Sequence, residues 1–418
     1  MEITELSGQI QVKIHQYSNK FQLGLSKPET KFIRQMLFGI LKSGSVQLSR
    51  IGRGLSEPIT LKKTTERLGH HLGKAKLWEQ ISALTLQAQR YYLRRCRYVI
   101  CDISDIRKTY ARKMEGMCGI RDGSAHELGH GYWLCHVLGV DEGGNLIVPA
   151  YSELYSMDKE TLSENDQILR AFGAVGPYVP KDAIHVMDRG GDRWRLLSAL
   201  LSEDKHFIIR QRGDRHIYYR GQKLLVRDLG EQIRLRYRFD VYRRRRSRLV
   251  RVSYRAGAVP VRLRVGGKRL YLVLVVEPGK GSCWFLSHLD VGSCEAAARE
   301  VFEGYGHRWK IEELIRQTKM DYDLESICLQ RYGALKTMNA LFWAAVSFLY
   351  TRLESLSTDL LLHPLLSIVK KNRLRELCGF IYYKLALGVK LILARSRLYR
   401  ELICPRQTDQ LAFDFGDP

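Results

Sequence analysis

Four residues in the run YGHRWKIEELIRQTK have side chains that could act together on a phosphodiester: Tyr305, Arg308, Glu312 and Lys319. Their spacing, Tyr-x2-Arg-x3-Glu-x6-Lys, advances in steps of three, four and seven residues, which predicts one face of a single α-helix. That face would present a carboxylate flanked by two cations and a phenol. A carboxylate can hold a divalent metal, and Arg, Lys and Tyr can hold phosphate oxygens. The plainer alternative is an amphipathic surface helix with ordinary Glu–Lys pairing.

The pattern resembles the signature of the bacterial insertion-sequence transposases named for Tyr, Arg, Glu and Lys, a branch of the DDE transposases. All four residues match at the family's spacing, and Trp309, Ile311 and Glu313 fit its habit. The resemblance implies a ribonuclease-H-like catalytic core in which Glu312 is the third metal ligand. It also implies that Tyr305, Arg308 and Lys319 grip the phosphate backbone of the transposon end; Arg189 and Arg316, close to the acids in sequence, are further expected DNA-binding cations. Two upstream aspartates, each on an apolar strand, complete the implied set.

Both aspartates can be found. Tyr98-Val99-Ile100-Cys101-Asp102-Ile103 is a short apolar, β-branched run with an acid inside it, which reads as a buried strand. Ala183-Ile184-His185-Val186-Met187-Asp188 is another, followed by Arg189-Gly190-Gly191-Asp192 and a helical pattern through Leu196, Leu197 and Leu200. An acid at the carboxyl end of a strand, before a turn into a helix, lies where open α/β sheets place their sites. Asp102, Asp188 and Glu312 are therefore the expected catalytic and metal-binding residues. Asp105 is a rival for the first position; Asp102 is preferred because it is expected inside the strand and Asp105 beyond it. Three convergent carboxylates suit Mg²⁺, with Mn²⁺ as the alternative, and cations so held can serve both the attacking and the leaving oxygen.

Composition agrees with a polyanionic partner. The 418 residues carry a net charge of +24, and such a balance favours nucleic acid. No stretch reaches the ~18 uninterrupted apolar residues of a membrane span. The amino-terminus, with Glu2 and Glu5, does not read as a signal peptide. Nine cysteines without a Cys-x2-Cys pair argue against a disulfide framework and a zinc ribbon, so a reducing, cytoplasmic compartment is expected.

The charge is concentrated. Residues 210–270 hold 20 Lys or Arg against 4 Asp or Glu, so +16 of the +24 falls there. Three runs in this segment alternate basic and apolar residues: Arg234–Phe239, Leu249–Tyr254 and Val261–Val265. Alternation puts the cations on one face of a sheet, a plausible DNA platform or simply a solvated basic face. The related transposases carry a β-rich insertion at this place, expected here at about 213–282. Trp284, 28 residues before Glu312, stands where relatives place a tryptophan that stacks on a base flipped out of the transposon end. A Trp in an apolar strand can equally be core.

Three regions are expected: a helical amino-terminal DNA-binding domain (1–95), the catalytic domain (96–329) and a helical carboxy-terminal region (330–418) suited to core packing or dimerisation. Leu48–Leu55 and Thr60–Leu72, joined near Pro58, read as a helix-turn-helix for terminal repeats, although any three-helix bundle gives this pattern. His126-Glu127-Leu128-Gly129-His130, with His136 following, matches a zinc-protease motif. Trp133 occupies its turn glycine, and the run through Tyr132–Leu138 alternates like a strand, which favours a hairpin with Asn145–Pro149. The tail Gln410–Phe415 resembles the short peptides that dock on the bacterial sliding clamp, a pattern that chance also produces.

The expected fold class is thus α/β: a ribonuclease-H-like mixed-sheet core with a basic β-rich insertion and helical flanks. By the resemblance the chain would cut transposon ends and join the freed 3′-hydroxyls to target DNA. It would do so as a homodimer in a synaptic complex, close to the bacterial nucleoid. A ribonuclease-H-like nuclease or resolvase and a catalytically silent DNA-binding protein are the rival readings.

Overall fold

The computed structural model describes residues 3–111, 113–121, 127–245, 248–279, 281–353, 356 and 382–394. The chain is mixed α/β, and its contacts divide it into two compact units: Met1–Ala88, Arg112–Glu115 and Gln317–Pro418 form one, Gln89–Ala111 and Gly116–Arg316 the other.

The first unit is helical. It contains α1 (Ile3–Asn19), α2 (Lys27–Ser43), α3 (Leu48–Leu55), α4 (Leu61–Leu72) and most of α5 (Leu77–Leu93). α2 opens on a capping box in which Ser26 and Glu29 satisfy each other's backbone N–H groups, and it stops at Gly44, φ +58°. Phe32–Leu41 is almost wholly buried, and α2 packs against α1, α3, α11 (Tyr332–Arg352) and the helix Tyr382–Ala394. α11 is buried along Ala334–Thr351, as a helix apolar on all sides should be. The amino-terminal helices and the described carboxy-terminal helices therefore share one core. The expected helix pair is present as α3 and α4, with Thr60 capping α4. Gln410–Phe415 lies outside the described residues, as does His126.

The second unit is built on a sheet. Its strands are β1 (Tyr98–Arg107), β2 (Cys118–Arg121), β3 (Leu128–Val140), β4 (Ile147–Tyr155), β5 (Ile184–Met187) and β6 (His206–Arg210). They are followed by β7 (His216–Tyr219), β8 (Gln222–Leu225), β9 (Tyr237–Arg245), β10 (Arg248–Val261), β11 (Leu270–Glu277) and β12 (Gly281–His288). The main sheet runs β3-β1-β5-β6-β12-β11-β10-β9, with β2 and β4 both paired to β3. β1, β5 and β6 are parallel and all other pairs antiparallel. α6 (Glu164–Val175) packs on β3 and β4, α8 (Val226–Gln232) on β11 and β12, and α9 (Cys294–Gly306) on β5, β6 and β9–β12. Parallel strands buried on both faces need continuous apolar runs, and β5 is buried throughout.

Several sequence expectations change. β1 extends to Arg107, so Asp105 lies inside the strand and the reason given for preferring Asp102 fails. The expected hairpin is present, since Leu128–Val140 is one long strand paired with β4, and the rival zinc-binding helix is excluded over its length, His130 and His136 included. β2 is an additional strand. β10 ends at Val261, and only Arg262 continues, through a bridge to Tyr218; a turn at Gly266, φ +69°, replaces the expected strand Val261–Val265. β9–β12 extend the main sheet.

Gly304 sets how closely α9 lies on this sheet. A Cβ there would stand 2.7 Å from Tyr98 Cε1 and 2.9 Å from Ile208 Cδ1. Glu300, one turn earlier, accepts from Arg97 at 2.7 Å and from the Tyr98 hydroxyl at 2.8 Å, which fixes the helix to β1. Gly304→Val should therefore cost about 1–3 kcal/mol, the scale of overpacking a close interface. A denaturant midpoint indistinguishable from wild type would show that the interface yields freely.

Candidate active site

β1 presents alternate residues to opposite faces of the sheet. Tyr98, Ile100 and Asp102 share the face covered by α9, since Tyr98 meets Gly304 and Asp102 meets Arg308. Cys101, Ile103 and Asp105 share the other face, where the thiol of Cys101 lies 4.0 Å from that of Cys135 and Cys135 touches Gln167 of α6. This offset separates the two rival aspartates. Asp102 reaches the acid cluster; Asp105 is buried on the far side.

Asp188 follows the last residue of β5. Its carboxylate accepts the Gly190 N–H at 2.7 Å and so caps the 3₁₀ turn Arg189–Gly191. Asp192 holds this turn to the segment after β6: it accepts from Arg215 Nε at 2.6 Å and from the Arg212 N–H at 3.0 Å, while Arg212 Nε donates to the Arg189 carbonyl at 3.2 Å. Arg189 itself is exposed.

The Tyr-Arg-Glu-Lys run does not form one helix. α9 ends at Gly306 and α10 (Trp309–Asp321) begins three residues later. Between them the N–H groups of Arg308, Lys310 and Ile311 donate to carbonyls three residues back, at 3.0–3.1 Å. Such tight steps mark a break in the helical ladder. Gly304 and Gly306 weaken the helix there, and the close seat on the sheet needs Gly304. Tyr305 thus ends α9, Arg308 occupies the break, and Glu312 lies in the first turn of α10. Lys319, in the helical unit, pairs with Glu325 at 3.0 Å. Arg316 is exposed and pairs with Glu313 at 2.5 Å.

Two carboxylates meet on one guanidinium, and a third, that of Asp188, acts on them through its charge. Arg308 Nη1 donates to Asp102 Oδ2 at 3.1 Å, and its Nη2 donates to Glu312 Oε1. Burial pushes the Asp102 carboxyl up to about 7; Arg308 opposes this, and Asp188 and Glu312 add to it. Burial would lower Arg308, yet Tyr305, Asp102, Glu312 and Asp188 hold it above its ordinary value. The Tyr305 ring packs 4.6 Å from Phe285, and burial raises its phenol against the pull of Arg308 and Arg210. Among the described residues no three His, Cys, Asp or Glu side chains stand as a preformed metal-binding group. The donor set nevertheless fits a hard divalent cation, because all three acids supply only oxygen and one arginine neutralises them only in part. A groove of about 1150 Å³ reaches the Arg308 and Glu312 side of the cluster, lined among others by Arg210, Phe285, Tyr305 and Trp309, while Asp102 and Asp188 do not line it.

Trp284 is not part of this groove. Phe285 and Arg210 are cross-strand partners on the α9 face, so Trp284 points to the other one. There a Cβ on Gly230 of α8 would stand 2.3 Å from its indole nitrogen, and one on Gly213 would stand 3.0 Å from its ring. Arg210 and His136 were not singled out for the site by sequence. His136 lies directly opposite Asp102 on β3 and bonds the Ser104 hydroxyl at 2.9 Å. Only strand register could have placed either one there.

β9 and β10 carry the expected basic face. Arg238, Arg251 and Arg255 are exposed, while Phe239 and Tyr254 turn inward against Phe302 of α9. Asp240 pairs with Arg238 at 3.4 Å and with Arg251. Compared with known proteins, the chain matches no family model and no curated sequence. Among the described residues no helix is long and apolar enough to cross a membrane.

Proposed function

We propose that this chain is a DNA transposase of the DDE type, acting on its own element's ends. The observation that carries the reading is the electrostatic coupling of Asp102, Asp188 and Glu312 around Arg308, on one face of one unit. The acids come from a central strand, the end of its parallel neighbour and a late helix. The order β4-β3-β1-β5-β6, with only β1, β5 and β6 parallel, supports a ribonuclease-H-like core.

Asp102, Asp188 and Glu312 would hold Mg²⁺, or Mn²⁺ in its place. When bound, the ion supplies an activated water or 3′-hydroxyl and stabilises charge on the leaving oxygen. The chain's own groups do the rest. Arg308 and Arg210, beside the Tyr305 phenol, can take the non-bridging oxygens of the scissile phosphate. The groove gives the strand room, and Arg238, Arg251 and Arg255 can follow the backbone of the flanking duplex. Lys319, Arg316 and Arg189 are proposed as further phosphate contacts, and the α3–α4 pair as the reader of terminal repeats. Cutting two ends together calls for a synaptic dimer.

The test is excision in cells of a marker flanked by the DNA that borders the gene, followed by nicking of that DNA in vitro with Mg²⁺. Excision with discrete end cleavage is the expected result. Nicking without excision would favour a nuclease or resolvase, and DNA binding without either reaction would overturn the catalytic reading.

A further inference from the structure

We propose that Arg308 is a substrate-operated latch: its guanidinium ties Asp102 to Glu312 and keeps a divalent cation off these carboxylates until a DNA phosphate draws it away. The inference rests on the transposase reading, and it concerns what the resting protein does before DNA arrives.

The geometry is specific to this residue. Both terminal nitrogens of Arg308 are engaged, Nη1 with Asp102 at 3.1 Å and Nη2 with Glu312. The side chain is only 15% exposed, so these ion pairs are poorly screened by solvent. A guanidinium and a divalent cation compete for the same lone pairs, and two positive charges at contact distance repel. Metal binding at these acids is therefore weakened while Arg308 holds them. A phosphodiester offers the guanidinium an equivalent bidentate partner. Once Arg308 turns to it, two carboxylates are released within reach of the same phosphate.

The local backbone suits such a movement. Arg308 sits in the two-residue break between α9 and α10, where hydrogen bonds run three residues back rather than four. Its side chain can change partner without unwinding either helix. Glu312 is free to follow, since its carboxylate is 48% exposed, whereas Asp102 is fixed in a strand. The consequence is that cation and DNA bind cooperatively: each makes the site better for the other. A resting protein would hold back metal-dependent chemistry away from its own ends.

The experiment is Mn²⁺ binding to the full-length protein, read by the electron paramagnetic resonance of free Mn²⁺. It is run with and without a short duplex of the bordering DNA. Asp188→Asn with the same duplex gives the background of Mn²⁺ held by DNA alone. Wild type should bind Mn²⁺ at least about tenfold more tightly with DNA than without it. Arg308→Gln should bind tightly without DNA and gain little on its addition. Arg308→Lys keeps the charge but cannot bridge both acids, so it should fall between them; it also guards against a glutamine variant that fails to fold. Tight binding by wild type without DNA, unchanged by DNA, overturns the latch and leaves the metal reading standing. No binding above background by wild type or either variant overturns both.

Discussion

Glu312→Gln should lower the rate of end cleavage by on the order of 10²–10³-fold or more, the scale of removing one preorganised electrostatic group from a reaction centre. The substitution keeps shape and one oxygen acceptor for Arg308 while removing the negative charge. Because the Glu312 side chain is half exposed at the start of α10, its loss should shift unfolding by no more than about 1 kcal/mol. Arg308 keeps its second partner, Asp102. Duplex binding, carried by the basic groups, should stay within about threefold, since no phosphate contact is removed. The informative measurement is single-turnover cleavage of the bordering DNA beside an equilibrium binding curve. Cleavage within tenfold of wild type would remove Glu312 from the chemistry. Parallel losses of binding and cleavage would make it structural.

The second large effect concerns acid. His185, in the middle of β5, is buried against the edge of the Phe172 ring at 4.6 Å, and its Nδ1 lies 3.1 Å from the His206 carbonyl. Burial lowers its pKa from 6.5 to about 4, the carbonyl opposing in part. The folded protein thus binds this proton less readily than the unfolded chain does. The sign follows: the stability this imidazole allows is fully present above pH 6.5 and is lost as pH falls through about 4. The loss should approach about 3 kcal/mol, at 1.36 kcal/mol per pK unit. In His185→Gln a donor to the same carbonyl remains while titration is removed. The difference in unfolding free energy between wild type and variant should therefore change across pH 6.5 to 4 and be flat above 7. A difference constant across that range would mean that the ring is solvated.

His185 also shows how closely core and site are joined here. It precedes Asp188 by one short strand segment, and the same strand pairs with β1, which carries Asp102. Protonating the core histidine would press on the element that positions both acids. Acid inactivation and acid unfolding should therefore run together in this protein.

Much of the architecture was legible in the residues. Apolar β-branched runs announced β1 and β5, and alternation announced β3 and the first half of β10, whereas the alternating run Arg234–Phe239 overlaps β9 only at Tyr237–Phe239. The three acids could be named because the Tyr-Arg-Glu-Lys spacing is a local pattern, and the resemblance it carries implies two upstream aspartates on apolar strands. What tertiary structure decided depends on which face a residue takes and what lies opposite. Asp102 and Asp105 are alike in chemistry and in strand, and only the even–odd phase of β1 against α9 separates them. Trp284 and Phe285 divide by the same rule, which sends the indole to Gly230 and the phenyl ring to Tyr305. The helix break at Arg308 comes just after the close seat of Gly304 on Tyr98, a contact between residues far apart in the chain. Hydrophobic period and charge are written along the chain, so sequence alone indicated many of the elements and narrowed the acids to Asp188, Glu312 and one of Asp102 and Asp105. Register and close packing are pairwise, long-range quantities, so only the folded structure could show that an arginine ties Asp102 to Glu312.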